Sequence, residues 1–376
     1  MKILTKIIYI PIVLIMLLAQ TGVTVGQGST STDKYLYNDS HFHLTNYIQE
    51  GITAKRFLEI MGDKVGRSTL FGIPLQQQWS FQNSGATNGP TYYLQSDAPL
   101  YYYSFTDAYI AMQYKSLTAE QQARLDPMIT GFNPADMYGV KHIERVLRTF
   151  PGVFTGIGEF SIHKEFVSAK VAGEVASLTN PALDSVLDFA GKVGLVVILH
   201  SDIDVPMAKP TSEPVYLTQM KDLLRRHPQT TIIWAHIGLG RIVHPVGYGS
   251  ASNSESSERP PNHVDIVNSI LSDPAFSHVY FDISWDEVAK YIVRTPETIK
   301  AAAATMNKYP DRFLFGTDVV APPTQDFYLA VYNMYTPLWK ALAPETSEKV
   351  RKGNYARLFD AARQKVRAWE AANIPK

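Results

Sequence analysis

The sequence contains no cysteine among its 376 residues. This absence excludes disulfide bonds, thiolate metal ligands and a cysteine nucleophile, so the hydrophobic core must stabilise the fold without covalent help. An excess of charge of either sign is also missing, because 35 Lys and Arg residues balance 35 Asp and Glu residues. Without a basic surplus, we expect no nucleic-acid partner.

Three sequence patterns typical of other enzyme classes are absent too. The chain has no Gly-x-Ser-x-Gly elbow, no Gly-rich phosphate loop with a lysine, and no Gly-x-Gly-x-x-Gly after its first predicted strand. The sequence therefore does not support a serine hydrolase, a P-loop enzyme or a dinucleotide-binding enzyme.

One long apolar stretch lies near the N-terminus, over residues 7–19, after Lys2 and Lys6. It is too short for a typical membrane span, and small and polar residues follow it, as in an export signal. We therefore predict a signal peptide over residues 1–27 and a mature domain over 33–376. The mature protein would be exported, to the periplasm or outside the cell, with no stable membrane anchor. An uncleaved anchor is the alternative.

Short apolar runs alternate with amphipathic segments along the rest of the chain. The apolar runs predict eight strands, at 35–44, 68–73, 127–132, 153–160, 195–200, 231–236, 279–283 and 313–317. Capping residues and prolines predict helices at 135–149, 181–192, 214–226 and 286–307. Eight strand-then-helix units suit a closed parallel barrel, but an open doubly wound sheet uses similar units.

Polar side chains at the predicted strand ends favour the barrel. They are His41, His43, His200, His236 and Asp318. Imidazole and carboxylate groups are the ligands of a borderline divalent ion such as zinc. Because side chains alternate across a strand, His41 and His43 point to one side while Phe42 points away. The other strand ends can face the same centre only if the sheet closes, so we predict a single-domain (β/α)8 TIM barrel.

Two long insertions follow the second and sixth predicted strands, at 75–104 and 247–261. Both fall on the face where barrel enzymes build substrate pockets, although plain surface loops are equally compatible with them. Tyr101, in the first insertion, is a candidate substrate-binding residue, with packing on the barrel top as the alternative. Arg241 is a second candidate that would clamp a substrate carboxylate, unless it is a solvated loop residue.

The ordered set of motifs resembles the amidohydrolase superfamily, most closely its amidohydrolase-related metal-dependent hydrolase branch. The resemblance rests on Asp39-Ser40-His41-Phe42-His43, on His200 and His236, on Phe315-Gly316-Thr317-Asp318, and on Gly353-Asn354-Tyr355-Ala356-Arg357-Leu358-Phe359. It implies a β/α barrel, a divalent metal and usually hydrolysis, with some relatives that decarboxylate. It also implies that Asp318 binds metal and accepts a proton from the attacking water.

The number of ions stays open at this point. With two ions His236 is a ligand beside His200, and with one it is free to polarise a substrate carbonyl or to shuttle a proton. Glu159 ends the fourth predicted strand, where many binuclear relatives place a carboxylated lysine and some a glutamate; Lys164 lies well beyond that position. Glu159 therefore either bridges two ions or orients a histidine from behind.

We therefore expect an exported metal-dependent hydrolase with one or two Zn²⁺ ions that cleaves an amide, lactone or other ester bond of a small molecule. Asp318 and His236 are the predicted catalytic residues. The predicted metal ligands are His41, His43, His200, Asp318 and Glu159. Asp282 is interpreted as a supporting group, and Asp202 as a surface or supporting group. A decarboxylase of the same fold and a non-catalytic metal-binding barrel are the alternatives, and a homo-oligomer is compatible with the sequence.

Overall fold

The computed structural model describes residues 34–45, 51–73, 105–164, 177–204, 214–240 and 262–375. It also describes the backbone of four short strands, Gln78–Trp79, Leu94–Gln95, Lys170–Val171 and Glu174–Val175. Contacts group Asp33–Lys376 into one compact unit. Across the described ranges, every helix is too short or too polar to span a membrane. The predicted signal peptide lies outside these ranges.

Eight parallel strands form the central sheet, and each is hydrogen-bonded to the next in chain order. They are β1 (Tyr37–Asp39), β2 (Val65–Leu70), β3 (Leu125–Ile129), β4 (Gly156–His163), β5 (Val196–Ser201), β6 (Ile232–Trp234), β7 (Val279–Asp282) and β8 (Phe313–Leu314). Each of them overlaps one of the strands predicted from the apolar runs.

Backbone hydrogen bonds join the last strand to the first. Ser40 N donates to Phe315 O at 3.1 Å, and Asp318 N donates to His41 O at 2.8 Å. Just beyond β1 and β8, Phe42–His43 pairs in parallel with Val319–Val320. The sheet is therefore closed, and the predicted (β/α)8 TIM barrel is confirmed over an open sheet.

Helices cover the outside of the barrel. They are α1 (Ala54–Met61), α2 (Phe105–Lys115), α3 (Ala119–Gln122), α4 (Gly139–Thr149), α5 (Pro181–Val193), α6 (Leu217–Arg226), α7 (His263–Ser272), α8 (Asp286–Ile292), α9 (Pro296–Lys308), α10 (Gln325–Met334), α11 (Thr336–Ala341), α12 (Pro344–Glu348) and α13 (Asn354–Asn373). Short 3-10 turns occur at Ala235–Gly238 and Pro274–Phe276, and a π turn at Lys349–Gly353.

The prediction of a single helix at 286–307 was wrong, because two helices, α8 and α9, occupy this range. The Thr295 side chain accepts a hydrogen bond from Thr298 N at 3.2 Å and so caps a new helix, α9. Pro296 occupies the first turn of that helix, where its missing N–H costs nothing. The same proline cannot donate to the preceding turn, so α8 ends before it.

Apolar side chains fill the interior of the barrel, and α13 closes one of its ends. Met128, Val196 and Ile233 form one buried cluster with Tyr355 and Phe359 of that helix. The Asn354 side chain donates to Phe313 O at 2.8 Å, at the start of β8, so α13 lies over the end where the strands begin. The polar residues of the site are thereby left at the other end, where the strands finish.

Candidate metal centre

Six polar side chains, carried by β4 and β5 and by the segments that follow β1, β6 and β8, meet at that second end of the barrel. They are His41, His43, Glu159, His200, His236 and Asp318. Glu159 was predicted to end its strand, but β4 continues to His163. All six residues are buried except Asp318, whose side chain is 14% exposed. Asp318 is therefore the member of the group that solvent or a substrate reaches most directly.

His41 and His43 face the same pair of carboxylates. His41 Nε2 lies 3.5 Å from Glu159 Oε2 and 3.3 Å from Asp318 Oδ1. The corresponding distances for His43 Nε2 are 3.3 and 3.1 Å. Phe42 lies on the other side of the segment and stacks on Phe57, with 3.6 Å between ring centroids. The strand thus presents two imidazoles to one centre and packs the intervening ring into the core.

The other carboxylate oxygen of Glu159 faces a different pair of histidines. Glu159 Oε1 lies 2.6 Å from His200 Nδ1 and 3.3 Å from His236 Nε2. The sequence placed His236 beside His200 only if two ions bind, and the structure brings these two rings together at one oxygen of Glu159. Glu159 therefore lies between two groups of possible ligands, one on each of its oxygens.

Two further buried carboxylates contact the remaining nitrogens of these imidazoles. Asp282 Oδ2 lies 3.0 Å from His41 Nδ1, and Asp202 Oδ1 lies 3.1 Å from His200 Nε2. A carboxylate at the second nitrogen fixes the orientation of a metal-binding imidazole and raises its basicity. Both contacts agree with the interpretation of Asp282 and Asp202 as supporting groups.

Ser284 is a member of the site that sequence reasoning missed. Its buried Oγ lies 2.8 Å from His236 Nδ1 and also contacts Asp282 Oδ1. Its place two residues after Asp282, just beyond a strand end, was the only available signal. A serine there is equally common in a plain turn.

The two predicted catalytic residues have backbones in the left-handed region. The φ angles are 56° at His236 and 55° at Asp318, where residues with a side chain are uncommon. His236 N donates to Asp282 Oδ1 at 2.8 Å, and Asp318 N donates to His41 O at 2.8 Å. These bonds hold both residues in a conformation that turns their side chains towards the centre. Such strain costs about 1–3 kcal/mol per residue and is concentrated at functional sites.

The carboxylates of the group favour their ionised form. Burial would raise the pKa of Glu159, but Lys164 and His41 lower it well below its ordinary value. Burial would also raise the pKa of Asp318, but the imidazoles of His236 and His41 lower it well below its ordinary value. Two buried negative charges at this depth require positive charge close by.

The imidazoles respond to those negative charges in different ways. Burial would lower the pKa of His41, but Asp282 and Glu159 raise it well above its ordinary value. For His200 the carboxylate partners also outweigh burial and raise the pKa to about 9. Burial prevails at His236 and lowers its pKa. The group as a whole attracts positive charge, and a bound cation satisfies that attraction as well as protons do.

The side chains that meet here fit a divalent metal ion. His41 Nε2 and His236 Nε2 are buried and have no hydrogen-bond partner within the described part of the chain, although both face carboxylate oxygens. A nitrogen lone pair beside a carboxylate is stable when a cation lies between them. Imidazole nitrogens with carboxylate oxygens are the ligand set that zinc prefers.

Two predicted substrate-binding residues, Tyr101 and Arg241, lie outside the residues that the structure describes. The same holds for the insertion at 247–261 and for most of the insertion at 75–104. The proposed roles of these residues and loops stay predictions.

The model of the family described as Amidohydrolase matches residues 39–361 of this chain. The chain therefore belongs to the amidohydrolase family, which confirms the resemblance inferred from the motifs. The match runs from the last residue of β1 into the first half of α13, so it includes every residue of the candidate centre. No curated protein matches the chain.

The solved structures that are similar to this chain include amidohydrolases and a decarboxylase. An amidohydrolase from Burkholderia multivorans with bound zinc is 12% identical, covers 86% of this chain and 99% of its own, and has a TM-score of 0.52. A protein described as amidohydrolase II is 16% identical over 86% and 99%, with a TM-score of 0.50. The 2,6-dihydroxybenzoate decarboxylase from Rhizobium is 14% identical over 86% and 98%, with a TM-score of 0.46. At these identities the likeness concerns the fold alone.

Proposed function

We propose that the protein is a metal-dependent hydrolase of small molecules, acting on an amide, lactone or other ester bond. The observation that supports this most strongly is the convergence of His41, His43, Glu159 and Asp318 in one group at the end of the barrel where the strands finish. When bound, a divalent cation supplies a Lewis acid and lowers the pKa of a water molecule from about 16 to about 7. Zinc is the proposed ion, in keeping with the ligand set and with the zinc bound by the Burkholderia relative.

Asp318 is the proposed proton acceptor and donor. Its side chain is the most exposed of the group, and its low pKa keeps it ionised, so it can accept a proton from water at neutral pH. After the bond breaks, the same carboxyl group can deliver the proton to the leaving group. His41 and His43 hold the carboxylate in place through contacts of 3.3 and 3.1 Å to Oδ1.

We further propose that the centre holds two ions and that Glu159 connects them. Oε2 of Glu159 faces His41 and His43, while Oε1 faces His200 and His236. A glutamate that only oriented one histidine would need a single oxygen for that contact. The two-sided arrangement therefore supports the bridging alternative of the two that the sequence left open.

The test of the proposed function is hydrolysis by the zinc-loaded protein across panels of esters, lactones and amides. Asp318→Asn should reduce turnover by about 10³-fold, because the amide cannot accept the proton from water. Asp63→Asn, the same change at an exposed turn, should leave turnover unchanged. Release of carbon dioxide from aromatic acids without hydrolysis would identify a decarboxylase instead. Zinc retention with no turnover on any panel would identify a non-catalytic barrel.

Export remains a proposal that rests on the N-terminal apolar stretch alone. N-terminal sequencing of the mature protein from fractionated cells tests it. Cleavage before residue 33, with the protein outside the cytoplasm, would support export. An intact N-terminus in the cytoplasm would contradict it.

A further inference from the structure

The hydroxyl of Ser284 connects a buried carboxylate to a buried imidazole. Ser284 follows β7, and both its N, at 3.3 Å, and its Oγ contact Asp282 Oδ1. The same Oγ lies 2.8 Å from His236 Nδ1. Asp282, Ser284 and His236 therefore form a short chain of hydrogen bonds at the floor of the site.

Counting the available hydrogens shows which atom donates in each of these hydrogen bonds. Every group that contacts Asp282 is able to donate to it: His41 Nδ1, the backbone N of His236, and both N and Oγ of Ser284. A carboxylate that receives donors on both oxygens accepts only. The single hydroxyl hydrogen of Ser284 is thus given to Asp282, and towards His236 the serine oxygen can only accept.

His236 Nδ1 must then carry the hydrogen. A neutral imidazole has one N–H, so the Nε2 atom of His236 is left with a lone pair. That atom lies 3.3 Å from Glu159 Oε1 and 3.9 Å from Asp318 Oδ2 and, among the described residues, has no hydrogen-bond partner. A lone pair that faces two carboxylates suits a ligand of a cation and does not suit a donor.

We propose that Ser284 is a positioning residue that fixes His236 in the Nδ1–H tautomer and thereby directs its Nε2 lone pair at the metal. The inference rests on the proposed metal-dependent function and deepens it. His41 has the same arrangement, since Asp282 Oδ2 takes its Nδ1 hydrogen directly and its Nε2 faces Glu159 and Asp318. One carboxylate thus orients two imidazoles, the first directly and the second through Ser284. In this tautomer neutral His236 cannot donate from Nε2 to a substrate carbonyl.

The test compares Ser284→Ala with Ser284→Thr, which keeps a hydroxyl, and with Ser201→Ala as a matched control. Ser201 is also buried at a strand end and follows His200, but its Oγ contacts the backbone oxygen of Asp202. Each full-length protein is labelled with ¹⁵N-histidine, and long-range ¹H–¹⁵N spectra are recorded after chelation and again with zinc. A His236→Asn spectrum assigns the resonances, and chelator competition gives the zinc Kd.

We expect a protonated Nδ1 and a bare Nε2 at His236 in the metal-free wild type, Ser201→Ala and Ser284→Thr proteins. Ser284→Ala should shift His236 towards the Nε2–H tautomer and weaken zinc binding by about 10–100-fold. A protonated Nε2 in the wild type, or a Ser284→Ala protein with unchanged tautomer and zinc Kd, would overturn the proposal. Because these readouts need no substrate, they stand even if no hydrolysis is found, and the two proposals fail separately.

Discussion

Individual residues determine how many ions the centre can bind, and Glu159 has the largest effect on that number. It contacts both groups of histidines, one through each oxygen. Asp318 reaches the second group only through a longer contact, 3.9 Å from its Oδ2 to His236 Nε2. The number of ions therefore depends on this residue more than on any one imidazole.

Glu159→Gln should lower the zinc content of the purified protein from two ions to about one per chain. The amide has lost the negative charge that two cations share, and its nitrogen cannot act as a ligand. Elemental analysis of the wild-type and variant proteins, prepared side by side, measures the change. Equal zinc content in the two proteins would show that Glu159 only orients a histidine.

Asp282→Asn should weaken zinc binding by about 10–100-fold without unfolding the barrel. An asparagine side chain has one acceptor oxygen, and its nitrogen is a donor. It therefore cannot accept hydrogen bonds from His41 Nδ1 on one side and from His236 N and Ser284 on the other. Chelator competition measures the zinc Kd. Asp286→Asn, at a half-exposed residue four positions later, is the control and should bind zinc as the wild type does.

The histidines and Asp318 could be predicted because each stands at the end of an apolar run, where a parallel strand delivers its side chain to one face. Ser284 could not, because its role depends on a hydrogen given to Asp282 and on the turn that brings His236 within 2.8 Å. The sequence paired His200 with His236 only in the two-ion alternative, and it could not predict that both rings contact Oε1 of Glu159. That contact depends on the order of strands around the closed barrel and on the direction of each ring.

Among the secondary-structure elements, α7 stabilises the turn that carries His236. His263, the first residue of α7, is buried, and its Nε2 donates to Ile237 O at 2.6 Å. Ile237 has a φ of 52°, so this bond holds a strained residue directly beside His236. Burial lowers the pKa of His263 from 6.5 to about 4. The neutral imidazole is therefore the form that the folded protein requires.

Because His263 of α7 is buried in its neutral form, the protein should lose stability as the pH falls. Between about pH 6.5 and pH 4 the unfolded chain binds a proton at His263 that the folded protein does not bind. The free energy of unfolding should therefore fall by about 2 kcal/mol more in the wild type than in His263→Gln between pH 7 and pH 5. The glutamine keeps an N–H donor but does not titrate.

Urea unfolding of both proteins at the two pH values measures this difference. Asp39, whose pKa burial raises to about 6, contributes stability of the opposite sign as the pH falls, and it is present in both proteins. Its contribution cancels in the comparison. Parallel loss of stability in the two proteins would exclude His263 as the cause.

The observed helix boundaries show which local sequence signals are sufficient to predict where a helix begins and ends. The helix predicted at 181–192 is present as Pro181–Val193, with Asn180 accepting from Ala182 N at 2.9 Å and Gly194 at a φ of 86° ending it. The helix predicted at 286–307 is broken, because the cap at Thr295 and the following proline start a new one. Helical periodicity continues across that break, so the pattern of apolar residues alone could not reveal it.

For the whole molecule, the sequence was sufficient to predict the architecture because it combined eight strand-and-helix units with possible metal ligands at strand ends that face one centre only in a closed sheet. Closure itself rests on particular contacts between β1 and β8. Buried Asp39 accepts from Thr317 N at 2.9 Å and from Tyr328 Oη at 2.7 Å, and so ties the first strand to the last strand and to α10. Such contacts join residues almost 300 positions apart, and no local sequence pattern predicts them.

Zinc should stabilise the whole barrel, since the ion compensates buried carboxylates from several strands at once. At about 100 times its Kd, each bound zinc ion should add about 2.7 kcal/mol to the free energy of unfolding. For a chain of this size that corresponds to a rise in Tm over the chelated protein of about 4 °C per ion, or about 8 °C for the two proposed ions. Thermal unfolding with and without zinc measures the shift. Zinc should raise the Tm of His41→Ala by clearly less than it raises the Tm of the wild type. An equal rise in the two proteins would show that the stabilising ion binds elsewhere.

The most direct test of the account is anomalous X-ray diffraction at the zinc absorption edge from zinc-saturated crystals. An anomalous peak should lie about 2.0–2.2 Å from His41 Nε2, His43 Nε2 and Asp318, at the end of the barrel opposite α13. A saturated crystal whose zinc peaks all lie away from these side chains would contradict it.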